Sequence, residues 1–146
     1  YHIIQAKIAL GSGGLTGKGF LSGTQSHLNF LPEKHTDFIF TMFSEEFGML
    51  GGVLILILNL IIISYGYWFA FRIHPSNYFG KMVILGLNTN YFLYVFINIA
   101  MVIGLLPVVG VPLPLISYGG TVIISVMASF GIMMSFYVHK DKELKK

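Results

Sequence analysis

Residues 47–71 read FGMLGGVLILILNLIIISYGYWFAF, a run of 25 positions without a charged side chain. As a helix rising about 1.5 Å per residue, the run extends over roughly 37 Å, more than the roughly 30 Å hydrocarbon core of a bilayer. It therefore predicts a helix that spans a membrane with some tilt.

The composition indicates the same class for the whole chain. Of its 146 residues, 55% are hydrophobic and only 10% are charged, and the mean hydropathy is +0.76. Soluble domains carry roughly 25% charged residues, so we expect an all-α integral membrane fold. Cysteine is absent, which excludes a disulfide framework and a thiolate metal site.

Two further charge-free runs give three predicted transmembrane helices, preceded by a large extracytoplasmic loop. The chain starts inside this loop, and three spans with polar faces would make a poor bundle alone, so it reads as a C-terminal piece of a larger protein. The expected order is a loop with short interfacial helices at 1–46, spans at 47–71, 82–106 and 119–138, a cytoplasmic loop at 72–81, an extracytoplasmic proline-rich loop at 107–118, and a cytoplasmic tail at 139–146.

The orientation follows from the basic residues. Arg72 and Lys81 flank the first loop between spans, and four lysines follow the last span at positions 140, 142, 145 and 146. Three spans place this loop and the tail on one side, which the positive-inside rule makes cytoplasmic. The net charge of +3 is therefore a topology signal and does not indicate a nucleic-acid partner. The proline-rich loop should be buried in protein or line a cavity.

The segment before the first span is polar and rich in glycine. Tyr1–Leu10 fits a short interfacial helix, which Gly11-Ser12-Gly13-Gly14 should end. A phosphate-cradling loop and a flexible surface loop both fit the glycines, and the second is commoner. Their spacing matches neither a Walker A motif nor a dinucleotide fingerprint.

Asp37 stands where this polar segment meets the apolar run. A carboxylate at that border lies near lipid headgroups yet stays wet, so it can act as a general base on a sugar hydroxyl. The alternative is that Asp37 only caps the helix and complements its dipole, and the residues alone slightly favour this. Thr36 could also cap a helix that starts at Asp37. Such a helix would overrun the bilayer, which predicts a bend near Gly48 or Gly51-Gly52.

Other polar residues offer fewer functional signals. Amides inside the second span, at Asn88, Asn90 and Asn98, usually bond to neighbouring helices. Lys7, Lys18 and Lys34 are candidates to contact a pyrophosphate, although solvated loop lysines are commoner. No histidine pair has zinc spacing and no serine sits in a nucleophile elbow, so metal and serine hydrolysis are unsupported. A divalent cation is left open as a cofactor.

Three long motifs carry a resemblance to a known family. They are GSGGLTGKGFLSGTQSHLNFLPEKHTDFIF at 11–40, SEEFGMLGG at 44–52 and NIAMVIGLLPVVGVPLPLISYGG at 98–120. Together they closely resemble the SEDS family (FtsW/RodA/SpoVE), in the right order and over essentially the whole chain. Gly-Thr-Gln-Ser at 23–26 and the tract at 107–120 are most similar to its RodA branch, which acts in cell elongation and rod shape.

The resemblance implies a ten-span protein of the bacterial cytoplasmic (inner) membrane, with the C-terminus cytoplasmic. It implies a peptidoglycan glycosyltransferase that polymerises lipid II onto an undecaprenyl-pyrophosphate-linked glycan strand by inversion, beside a class B penicillin-binding protein. The family's essential outer-loop aspartate falls on Asp37, which reverses the preference for a helix cap. Substrate contacts are expected at Lys34, Lys18, Lys7 and Glu45.

Two alternatives to a glycosyltransferase stay open. One is a lipid II transporter (flippase) that uses the intramembrane asparagines, with Asp37 as a gate. The other is a non-catalytic scaffold that docks and activates a penicillin-binding protein. The isolated 146-residue chain is expected to be inactive, because seven spans and much of the substrate cavity would be missing.

Overall fold

The computed structural model describes residues 4, 7, 8, 11–19 and 37–139. It contains three long helices, α1 (Ile39–Arg72), α2 (Tyr78–Val102) and α3 (Gly120–Val138). All three are long and apolar enough to cross a membrane, and no strand occurs among the described residues. The predicted all-helical fold with three potential spans is therefore confirmed.

The start of α1 differs from the prediction by two residues. The first helical residue is Ile39 and the N-cap is Phe38, whose side chain makes no capping bond. The expectation that the helix starts at Asp37 with Thr36 as its cap was therefore wrong. Asp37 instead lies in a turn immediately before the N-cap, while Thr36 falls outside the described residues.

A sharp break at Gly48 divides α1 into a short N-terminal part, residues 39–47, and a long C-terminal part, residues 49–72, at one of the two predicted places. Gly48 has φ 69° and ψ −167°, a non-helical conformation inside the otherwise continuous helix. Only glycine adopts this region of backbone space readily. The break leaves carbonyl groups just before Gly48 and N–H groups just after it without partners inside the helix.

Residues 13–19, here called the glycine clasp, supply those partners. The carbonyls of Glu45 and Glu46 accept from the N–H groups of Lys18 (3.1 Å) and Gly19 (3.0 Å). On the other side of the break, Met49 N–H donates to Gly14 O (2.9 Å) and Leu50 N–H donates to Leu15 O (3.3 Å). The clasp thus pairs both exposed ends of the broken helix with its own backbone.

The clasp and the break meet backbone to backbone, which explains the glycines. A Cβ atom on Gly17 would overlap the carbonyl of Glu46, and one on Gly13 would overlap the carbonyl of Ser44. Gly17 also has φ +80°, which disfavours any other residue. These glycines are needed for close approach, so this part of the polar segment is a docked structural element.

Helices α1 and α2 are joined by buried polar contacts. Asn88 Nδ2 donates to Ile63 O at 3.0 Å, which confirms the predicted interhelical role of that amide. Tyr91 Oη donates to Asn59 Oδ1 at 2.7 Å, a contact that the sequence did not predict. Asn90 is exposed. In an apolar medium such bonds satisfy groups that water would otherwise solvate.

Helix α3 is the least enclosed of the three. Its buried residues are Val126 and Met133, and the Tyr91 ring lies 5.3 Å from that of Phe130. Most of its other side chains are exposed, leaving an apolar surface for lipid or further helices. Helix α3 packs through Val126, Phe130 and Met133, which lie one and two turns apart on one face of the helix.

Aromatic and basic side chains mark one end of the bundle. The Arg72 guanidinium lies 4.7 Å from the centre of the Trp68 ring, and Phe69 stacks on Tyr137 of α3 at 4.5 Å. Lys81 Nζ lies 5.5 Å from the Phe71 ring centre. Aromatic belts with neighbouring cations are typical of membrane–water interfaces. This end therefore has the chemistry of an interface.

Candidate active site around Asp37

Asp37 lies at the opposite end of α1 from this aromatic belt. The residue is only 6% exposed, although it precedes the first residue of the helix by two positions. Phe38 and Phe40 beside it are also buried and belong to the main hydrophobic cluster. A short, apolar-flanked turn thus holds the carboxylate at the edge of the bundle.

One amide on α2 links this turn to the proline-rich loop. Asn98 Nδ2 donates to the main-chain oxygen of Asp37 at 2.9 Å and to that of Val111 at 2.6 Å. Asn98 is fully buried, so the contact lies inside the bundle. This bridge places Asp37 and the proline-rich loop at the same end of the bundle.

The loop between α2 and α3 is folded inward over the site. Leu113 and Pro114 are fully buried, whereas residues 107–110 are exposed. Ser117 Oγ accepts from Leu113 N–H at 2.7 Å, and Ser117 N–H donates to Leu113 O at 2.9 Å. These two reciprocal bonds hold residues 113–117 of the loop in a tight turn.

Gly110 brings this loop against the carboxylate itself. It has φ +71°, and a Cβ atom there would lie 3.3 Å from Asp37 Oδ2. Glycine therefore serves both the backbone conformation and the close approach. The carboxylate of Asp37 faces the loop backbone at a distance that any larger residue would alter.

Lys18 and Glu45, two of the predicted substrate contacts, contact each other. Lys18 Nζ lies 2.9 Å from Glu45 Oε1, and the Glu45 side chain is fully buried while that of Lys18 is 27% exposed. A buried carboxylate is stabilised by a close cation, since an unpaired buried charge is costly. The ion pair therefore gives both residues a structural role in fastening the glycine clasp to α1.

Replacing Lys18 with methionine should destabilise the protein by roughly 1–3 kcal/mol, because it removes the hydrogen-bonding cation beside buried Glu45. The matched control is Lys7→Met, since Lys7 is an exposed lysine of the same segment. Thermal unfolding of both variants in the same detergent measures the effect. Equal unfolding temperatures for the two variants would show that the ion pair contributes nothing.

Of the remaining predicted contacts, Lys7 belongs to the described residues. Lys7 is exposed, and it is helical, as are Gly11 and Ser12, where the sequence predicted a helix break. Lys34 lies outside the described residues. The N–H groups of Gly17, Lys18 and Gly19 already donate to carbonyls. These three amides cannot also cradle a phosphate without the clasp opening.

A cavity of about 460 Å³ lies between the clasp and α1. Its lining is mainly apolar and suits a hydrocarbon chain better than a sugar, with Gly11, Gly14, Leu15, Phe40, Ser44, Met49, Gly52, Val53 and Leu56 around it. Across the described positions, no group of three or more histidine, aspartate or glutamate residues forms a metal site. A cation held by substrate or by other residues stays open.

The residues that sequence reasoning missed are those that hold Asp37. Asn98 was predicted to bond to a neighbouring helix, whereas both of its bonds reach non-helical backbone, in the turn at Asp37 and in the loop at Val111. Gly110 was seen only as part of a proline-rich stretch. A polar residue near the end of an apolar span was the available signal, since such groups seek buried carbonyls. Together, Asn98 and Gly110 fix the backbone of Asp37 and one side of its carboxylate.

Comparisons with known proteins agree with the fold and the motifs. A model of the FtsW/RodA/SpoVE family, described as cell cycle protein, matches residues 1–142. The chain is 56% identical over 96% of its length to peptidoglycan glycosyltransferase MrdB of Escherichia coli strain K12. It is 39% identical over 92% to peptidoglycan glycosyltransferase RodA of Treponema pallidum, and 38% identical over 92% to stage V sporulation protein E of Bacillus subtilis.

The chain spans only part of these relatives, 37% of the length of MrdB and 31% of that of the Treponema RodA. In a solved peptidoglycan synthase complex, one chain superposes with a TM-score of 0.73 over 94% of this chain and 37% of its own length. At 24% identity that likeness shows the fold alone. With the family match covering nearly every residue, this multi-pass membrane chain belongs to the FtsW/RodA/SpoVE family of cell cycle proteins.

Proposed function

We propose that these residues form part of a peptidoglycan glycosyltransferase that polymerises lipid II for cell elongation. The observation that carries the proposal is the placement of Asp37, a buried carboxylate at the end of a potential span, held against the backbone of a folded loop. The names of relatives at 56% and 39% identity support the same activity.

In the proposed reaction, Asp37 acts as a general base. Its carboxylate accepts the proton of the 4-hydroxyl of the acceptor sugar on lipid II, and that oxygen attacks the anomeric carbon of the growing strand. The bond from this carbon to the undecaprenyl pyrophosphate breaks, and the leaving group carries away the electron pair. An α-linked donor gives a β-linked product, so a single displacement with inversion needs no covalent enzyme intermediate.

The surroundings of Asp37 suit such a base. With 6% exposure, the residue has little contact with bulk water, and electrostatic contacts between a carboxylate and a bound hydroxyl are stronger in such a place than in solution. Gly110 places an uncharged backbone beside Oδ2. Lys7, Lys18 and Lys34 stay predicted pyrophosphate contacts, with Lys18 needing to exchange its contact with Glu45.

The orientation and the partner belong to the same proposal. The aromatic belt with Arg72 and Lys81 would face the cytoplasm, and so would the C-terminus. Asp37 would then open to the outer side of the bacterial cytoplasmic membrane, where lipid II is polymerised. A class B penicillin-binding protein that cross-links the new strands is the proposed partner.

The transporter alternative has less support from the helices. A polar pathway through the membrane needs side chains that can exchange partners with the moving headgroup. Asn88 and Asn98 are fully buried and bonded to main-chain carbonyls within this chain, and Asn90 alone of the three is exposed. Two of the three amides therefore serve the fold.

Purified full-length protein, mixed with its penicillin-binding partner and fluorescent lipid II, tests the proposal directly. A ladder of glycan strands on a gel, absent without the protein, is the expected result. The partner should carry an inactivated transpeptidase, so that cross-linking does not obscure strand length. Movement of labelled lipid II across liposomes without any polymer would instead identify a transporter, and neither activity would indicate a scaffold.

A further inference from the structure

We propose that Asn98 is a positioning residue that sets the distance between the Asp37 carboxylate and the proline-rich loop. It makes the two bonds from one terminal nitrogen, to the oxygens of Asp37 and Val111. These acceptors lie on segments far apart along the chain, 61 and 13 residues from Asn98. A single side chain thus joins three separate parts of the fold.

Both bonds reach main-chain atoms, which makes them suited to fixing position. An amide nitrogen carries two N–H donors at a fixed angle, so the two carbonyls it serves are held in one relative geometry. The bond to Asp37 O fixes the backbone from which the carboxylate projects and leaves the carboxylate oxygens to other contacts. The full burial of Asn98 keeps water from competing for either carbonyl.

The bond to Val111 acts on the carboxylate through the preceding residue. Gly110 is the residue whose added Cβ would lie 3.3 Å from Asp37 Oδ2. Holding Val111 therefore holds Gly110, and with it the wall that the carboxylate faces. Asn98 Oδ1 is buried and has no hydrogen-bond partner among the described residues, so the function of this amide lies on its donor side.

This inference rests on the proposed role of Asp37 as the base. Displacement of a catalytic group by about 1 Å can lower the rate roughly 100-fold, with little effect on ground-state binding. Loss of both Asn98 bonds should therefore lower kcat more than it raises KM. A residue that only stabilised the bundle would reduce the amount of folded protein while leaving kcat per folded molecule unchanged.

The test compares Asn98→Leu with Asn88→Leu in the full-length protein with its partner. Leucine is branched at the same atom as asparagine and lacks its donors, and Asn88 is an equally buried amide of α2 that bonds to Ile63, not to the site. Per folded molecule, we expect kcat for lipid II polymerisation to fall roughly 10- to 100-fold in Asn98→Leu, with KM changed less than about threefold. For Asn88→Leu we expect kcat within about threefold of wild type.

Equal kcat values for these two variants would overturn the inference. If Asn98→Leu does not fold, Asn98→Gln decides, because it keeps the donors on a stem one methylene longer. That variant should fold and lose about tenfold in kcat, whereas a wild-type kcat would refute positioning. Failure of the proposed function would show differently: Asp37→Asn would then polymerise lipid II normally, whatever the Asn98 variants do.

Discussion

Replacing Asp37 with asparagine should abolish lipid II polymerisation, with kcat lowered about 100- to 10,000-fold or more. Asparagine has nearly the same size and can still accept hydrogen bonds, so the turn before α1 and its contact with Gly110 should be kept. What disappears is the group that accepts the proton of the attacking hydroxyl. Single-turnover polymerisation of fluorescent lipid II, normalised to folded protein, measures the loss.

The matched control for this substitution is Glu46→Gln. Glu46 is a partly buried carboxylate in the N-terminal part of α1, nine residues after Asp37. Its main-chain oxygen accepts the hydrogen bond from the clasp, so the substitution of its side chain leaves that bond in place. Its substitution should leave kcat within about threefold of wild type. Normal polymerisation by Asp37→Asn would contradict the assignment and direct the search for a base to residues outside those described.

Replacing Gly48 with alanine should have the largest effect on stability, a loss of about 3 kcal/mol or more. The backbone at φ 69° and ψ −167° is strained for any residue with a Cβ atom. That atom would also lie 2.6 Å from Leu15 O and overlap Gly17 N. To remove this overlap, either the clasp or the N-terminal part of α1 must move. Such a movement would weaken the four backbone hydrogen bonds between the clasp and α1.

Gly86→Ala is the matched control, since it introduces the same methyl group in the middle of α2. A Cβ atom on Gly86 meets nothing within 4 Å, and alanine is favoured over glycine inside a helix by up to about 1 kcal/mol. Thermal unfolding in detergent should therefore separate the two variants clearly. Similar unfolding temperatures would mean that the clasp does not hold the break in solution.

The spans and the bend could be predicted because their signals are local. A charge-free run of sufficient length identifies a membrane helix by the cost of placing charges in hydrocarbon, and glycine marks where a helix can break. The exact start of α1 could not be predicted, because Phe38 caps it without a side-chain bond. Helix ends that rely on tertiary contacts carry no sequence signature of their own.

The neighbours of Asp37 could not be predicted for a related reason. Its contact with Asn98 joins positions 61 residues apart, and the hydrophobic pattern fixes which segments cross the membrane but not which side chains meet. The pairing of Lys18 with Glu45 was likewise hidden, since each was judged alone as a substrate contact. Burial of the carboxylate, visible only in three dimensions, is what favours the pair.

The glycine clasp also gives the protein a built-in reporter for isotope exchange. In an unbroken membrane helix, an amide is protected by a carbonyl four residues earlier, so its deuterium uptake reports only local fraying. The amides of Met49 and Leu50 are protected instead by Gly14 and Leu15. Their deuterium uptake therefore measures how often the glycine clasp dissociates from α1, without a label on either segment.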